Sequence, residues 1–103
     1  MKFEVGSDNV YRDLGAADAE RMLVKAQLAM KIGDLIKQQG LTQSDAARLF
    51  GMTQPKVSAM LRGLFRGISE ERMMQCLVAL GQSVQIVVKP AARGKAAGMS
   101  VAA

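Results

Sequence analysis

The chain has no histidine and no tryptophan, and only one cysteine, one tyrosine, three phenylalanines and two prolines among its 103 residues. Each shortage removes a class of chemistry. Without histidine, the usual general base, proton shuttle and metal ligand is missing. A lone Cys76 can neither close a disulfide within the chain nor supply the clustered ligands of a structural zinc site. Neither a phosphate-cradling glycine-rich loop nor a carboxylate pair in a suggested pocket is present, so no enzyme, no metal and no cofactor are expected. No stretch approaches the roughly 18 to 20 consecutive apolar residues that cross a bilayer. The opening MKFEVGSDN meets acidic and polar residues before any apolar run develops, unlike a secretory signal. A cytoplasmic protein of one small domain, open to completion by a partner, is the expectation.

What the chain does have is positive charge. Its formal charge is +5 and its pI 9.8, which favours an anionic partner without separating nucleic acid from a membrane surface or from simple solubility. Lys89, Arg93 and Lys95 lie in a C-terminal segment and read as a solvated tail. Lys56, Arg62 and Arg66 lie near the middle of the chain, where they have a structural context.

Residues 1–17 lack a sustained hydrophobic period and read as a flexible arm. Asp18 is placed to cap a helix over 19–39, in which Met22, Ala26, Ala29, Gly33 and Ile36 recur at three- or four-residue intervals and Ile32 and Leu35 broaden the stripe. Gly40 permits a left-handed exit. Thr42 with Asp45 makes a capping box for a short second helix ending near Phe50. Gly51 turns the chain, Thr53 caps a third helix, and Pro55 is tolerated early in it because the first-turn amides have no partner within the helix. That helix is expected to close near Arg62 and Gly63, with a loop through residues 64–68. Ser69 caps a fourth helix to about Leu80, with Glu70 and Glu71 at the favourable end of its dipole. Cys76 and the eight methionines read as core filling. Over residues 83–89 the composition turns β-branched, with Val84, Ile86 and Val88 on one face, predicting a half-buried strand that Pro90 stops. Its partner is either an N-terminal segment or a second subunit. Residues 91–103 are expected to be a disordered Ala/Gly-rich basic tail.

The segment LTQSDAARLFGMTQPKVSAMLRG at 41–63 places Ala46, Ala47 and Phe50 inward before a turn at Gly51, then Met52, Val57 and Met60 inward after it. This is a helix-turn-helix pattern. The third helix then shows Gln54, Lys56, Ser58, Ala59 and Arg62 outward, a compact set of the size a major groove accepts. Gln54, carrying both a donor and an acceptor, matches adenine N6 and N7, while Gln43, Thr53 and Ser58 suit phosphate or hydroxyl contacts. Lys56 and Arg62 suit phosphate or a guanine edge, Arg66 suits the backbone beyond the helix, and Pro55 offers apolar contact to a thymine methyl.

The segment resembles the helix-turn-helix of the XRE family of phage repressors and bacterial regulators, and the chain as a whole is similar to its HigA-type antitoxins. The resemblance runs from GSDNVYRDLG at 6–15 and DAE at 18–20, through GLTQ at 40–43, QPKVSA at 54–59 and RG at 62–63, to VQIVVKP at 84–90. It implies a mainly α, lambda-repressor-like domain over residues 18–90 with one C-terminal strand, paired in a homodimer. It also implies roles for Gln43 in backbone anchoring and Gln54 in base contact. The partners it implies are double-stranded DNA bearing an inverted repeat and an endoribonuclease toxin of the RelE or HigB type, which the antitoxin neutralises. For that toxin the N-terminal Phe3, Val5, Tyr11 and Leu14 are candidate anchors; packing against the chain's own first helix is the competing use for them. A free-standing repressor and a protein-interaction module without DNA binding are the alternative readings.

Overall fold

A computed structural model of the chain describes residues 17–102. The proposed N-terminal anchors Phe3, Val5, Tyr11 and Leu14 lie outside the described residues. Four helices follow in order: α1 (Ala17–Gln38), α2 (Gln43–Phe50), α3 (Gln54–Leu61) and α4 (Glu70–Ala79). Lys25–Gln85 forms one compact unit containing most of α1 and all of α2, α3 and α4; residues 17–24 and 86–102 belong to a second.

Local chemistry sets the helix ends. Thr42 Oγ1 accepts from the Asp45 N–H at 3.0 Å while Asp45 Oδ2 accepts from the Thr42 N–H at 3.0 Å, a reciprocal capping box at the start of α2. Thr53 Oγ1 accepts from the Lys56 N–H at 3.3 Å, and Ser69 Oγ from the Arg72 N–H at 3.0 Å, so α3 and α4 begin on hydroxyl caps. At the end of α2, the Met52 N–H donates to Ala47 O at 3.0 Å across Gly51, whose φ of 68° is in the left-handed region. An L side chain pays there for crowding between Cβ and the following carbonyl, which glycine avoids. The other three helices exit through the same bonding pattern at Gly40, Gly63 and Gly81.

The core lies within the larger unit. Ile32, Val57, Met60, Met73 and Cys76 are its largest fully buried side chains, and Ala46, Ala47 and Phe50 bury one face of α2, which packs on both α3 and α4. Alanine at 46 and 47 lets these helices approach closely. The stripe expected on α1 is present, with Ala29, Ile32 and Ile36 buried and Met22, Ala26, Gly33 and Leu35 half-buried. Leu28 and Lys25 join it. The loop over 64–68 is also part of the core, since Phe65 and Ile68 are buried. Cys76 is the small buried helical residue expected, and burial pushes its thiol up from its ordinary range, with the nearby Arg72 opposing.

The strand expected over residues 83–89 is not formed. Among the described residues no strand occurs; residues 82–92 have no regular secondary structure, and Ile86, Val87 and Val88 are 75, 74 and 91% exposed. A β-branched run reports a local preference, whereas a strand forms only when a neighbour takes its N–H and C=O groups. Beyond it, the Met99 N–H donates to Glu20 Oε2 at 3.0 Å. None of the described helices is long and apolar enough to cross a membrane.

Replacing the fully buried Ile32 by alanine is expected to cost about 2 to 5 kcal/mol through lost burial and the cavity left behind. Gly51→Ala is expected to cost about 1 to 2 kcal/mol through backbone strain alone. Urea melts measure both; an unchanged midpoint for Gly51→Ala contradicts the role given to that turn.

Candidate nucleic-acid interface

α3 has two buried side chains, Val57 and Met60, which face the core. Its cap and first turn, Thr53, Gln54, Pro55 and Lys56, are exposed, while Ser58 and Ala59 are half-buried and Arg62 at the exit is exposed. Burial of Val57 and Met60 fixes how the helix sits, and Gln54, its first residue, and Lys56 are both exposed in its first turn. Pro55 takes a first-turn position, where its missing N–H leaves no gap in the helical ladder. Arg62 is drawn back along its own helix, its Nε donating to Ser58 O at 3.3 Å.

Gln43 opens α2 and is exposed. With Arg62 it lines an open groove of about 580 Å³, together with Ala26, Ala29, Gly33, Leu61, Phe65, Asp34 and Lys37. The start of α2 and the exit of α3 therefore border one concavity. A Cβ added at Gly33 would sit 3.6 Å from Leu61 Cδ2, an ordinary van der Waals contact, so α1 passes α3 there without a close approach that demands glycine. Arg66 is exposed on the loop after α3.

Three long-range polar contacts, two of them at the flanks of α3, were not anticipated from the sequence. Lys25, 6% exposed, donates from Nζ to Phe65 O at 3.3 Å and Arg66 O at 3.4 Å. Arg72 donates from Nη2 to Phe50 O at 2.5 Å and Gly51 O at 3.4 Å. Gln39 Nε2 donates to Leu80 O at 2.8 Å, at the exit of α4. Two of these had a legible signal. Lys25 occupies an apolar register, three residues after Met22 and four before Ala29. Arg72 sits in the first turn of α4, where the helix dipole disfavours a cation and a partner elsewhere is needed.

Among the described residues there is no cluster of three His, Cys, Asp or Glu side chains able to hold a metal. The chemistry on offer is recognition: a glutamine amide and hydroxyls on a short helix, flanked by cations, on a chain of net charge +5.

Four helices with a left-handed glycine turn between α2 and α3 define a helix-turn-helix domain. A family model for a helix-turn-helix domain matches residues 10–89, and the chain belongs to that family. A solved structure named "Putative XRE Family Transcriptional Regulator" is 41% identical, superposes with a TM-score of 0.78, and is matched over 84% of this chain and 98% of its own length. The chain is thus an XRE-type helix-turn-helix protein. No curated protein matches it.

The capping box at the base of α2 makes the unit acid-sensitive. The Thr42 backbone N–H first, then the Thr42 side chain and the Arg48 guanidinium, hold the Asp45 carboxyl below its usual value of 3.8. A depressed folded-state value contributes stability that is complete above the unfolded value and is lost as pH falls through the folded one. The thermal midpoint of the wild type is therefore expected to exceed that of Asp45→Asn at neutral pH, with the gap closing below about pH 4. A gap that stays constant from neutral to strongly acidic pH contradicts this assignment.

Proposed function

We propose that this protein is a sequence-specific DNA-binding repressor that reads the major groove with α3. The observation that carries the reading is the exposed cap and first turn, Thr53, Gln54, Pro55 and Lys56, of a helix that Val57 and Met60 fix in the core. Gln54 contacts an adenine edge, a pairing worth about 1 to 3 kcal/mol of discrimination when bidentate. Pro55 and Ala59 meet thymine methyls. Gln43, Thr53, Ser58, Lys56, Arg62 and Arg66 hold the sugar-phosphate backbone, with Lys56 and Arg62 also able to reach a guanine edge. The name of the solved relative, "Putative XRE Family Transcriptional Regulator", agrees with this reading.

The protein acts as a homodimer. Val84, Ile86 and Val88 would pair with the same residues of a second copy, taking up the backbone groups and exposed apolar side chains of a segment that forms no strand in the single chain. Two α3 helices related by a two-fold axis then read an inverted repeat with half-sites about 34 Å, or a multiple of it, apart. The similarity to HigA-type antitoxins, which extends from residue 6 to residue 90, supports a further role: neutralising a co-expressed RelE- or HigB-like endoribonuclease and repressing the shared promoter. Co-purification from the native cell separates this from a free-standing repressor.

Selection from a randomised duplex library should recover an inverted repeat. Gln54→Ala should then weaken binding by about tenfold at one base position while sparing the others. Arg66→Ala should weaken all sequences alike and reduce the slope of log affinity against log salt by about 1. Absence of any enriched motif would falsify sequence-specific reading. In sedimentation, paired substitution of Ile86 and Val88 by aspartate should leave monomers; a dimer that persists places the two-fold contact elsewhere.

A further inference from the structure

α3 is eight residues long, about 12 Å, and is held inward by only two buried side chains. A helix this short has no independent stability. Two side chains on one face leave it free to rock about the line joining them unless its ends are fixed, and bidentate base contacts tolerate only a few tenths of an ångström.

Both flanks of α3 end in backbone carbonyls held by a cation from another helix. Before it, the Arg72 guanidinium of α4 bridges Phe50 O and Gly51 O, the last residue of α2 and the turn itself. Arg72 is pinned at its root as well, because its own N–H is taken by the Ser69 cap. After α3, the Lys25 ammonium of α1 reaches Phe65 O and Arg66 O in the loop that carries the exposed Arg66. The Lys25 side chain is buried, and a buried ammonium whose acceptors move away pays a large desolvation cost. The carbonyls are thereby held in place as firmly as the lysine is.

We infer that Lys25 and Arg72 are positioning residues for DNA recognition, each clamping the backbone at one end of α3 so that Gln54 and Arg66 meet the duplex in a fixed register. The inference rests on the DNA-reading function proposed above. Neither side chain is required to touch DNA. Their loss should therefore degrade discrimination between duplexes more than attraction to phosphate.

The test uses the full chain and four proteins: wild type, Lys25→Met, Arg72→Met and Arg72→Lys. Hydrogen exchange without DNA should quicken at residues 64–68 in Lys25→Met and at 51–57 in Arg72→Met, with α1 amides near Ile32 unchanged as an internal control for folding. Affinity is measured for the duplex recovered by selection and for a scrambled duplex of equal length. Both methionine variants should lose about tenfold on the selected duplex and less than about twofold on the scrambled one. Arg72→Lys, which keeps one charged donor, should recover most of the loss. Unchanged exchange at both flanks overturns the clamp whatever the DNA results. Quickened exchange with undiminished preference for the selected duplex overturns its link to recognition. Equal losses on both duplexes, or α1 exchange that rises in step, reduce the two residues to general stabilisers. If the wild type selects no duplex, the DNA reading fails and the positioning role falls with it, while the exchange data still show whether the carbonyl anchors exist.

Discussion

The geometry of this protein depends on how one face of α3 is buried. Val57 and Met60 are fully enclosed, and the exposed Gln54 and Lys56 lie on the same two-turn helix, so any shift of the first pair moves the second. A loosely packed α3 would still be basic and would still attract an anionic polymer, but it would carry no base-reading geometry. In the proposed DNA reading, packing is therefore the property on which specificity rests, and charge the property on which encounter rests. The two are separable here because the buried and exposed sets do not share a residue.

The helices around α3 supply what its short length cannot. α2 reaches both α3 and α4 through a face of Ala46, Ala47 and Phe50, where two small residues allow close approach and one large residue fills the remaining space. Gly51 turns the chain in a single left-handed residue, so only three residues separate α2 from α3. A longer connection would loosen the angle between them. The loop after α3 is as constrained as a helix, since Phe65 and Ile68 anchor it in the core and Lys25 holds its carbonyls.

Most of this was legible in the sequence because it is written locally. Thr42, Thr53 and Ser69 at the starts, and Gly40, Gly51, Gly63 and Gly81 at the ends, bracket the helices through interactions spanning three to five residues, and such signals need no knowledge of the fold. Gln54, Lys56 and Arg62 of the outward set on α3 are exposed, whereas Ser58 and Ala59 are half-buried although the helical period turns them away from Val57 and Met60. Lys25, Gln39 and Arg72 were not found because their acceptors lie 21 to 41 residues away. Phe65 and Ile68 were missed for a related reason: they bury side chains from a segment with no period to announce it.

The segment over residues 83–89 marks the opposite limit. Its alternation of Val84, Ile86 and Val88 is as regular as any helical stripe in the chain, yet Ile86 and Val88 stand 75 and 91% exposed. A helix satisfies its own hydrogen bonds, so a periodic sequence and good caps suffice to form it. A strand's bonds belong to two segments, and the sequence of one states only half of the condition. Exposed β-branched residues on an unpaired segment are an aggregation hazard unless something covers them. In the proposed dimer a second copy would meet that need with the least additional information, because the same residues would serve both sides of a two-fold contact. It would also duplicate α3, giving a small domain enough contact with a duplex to discriminate one site from many.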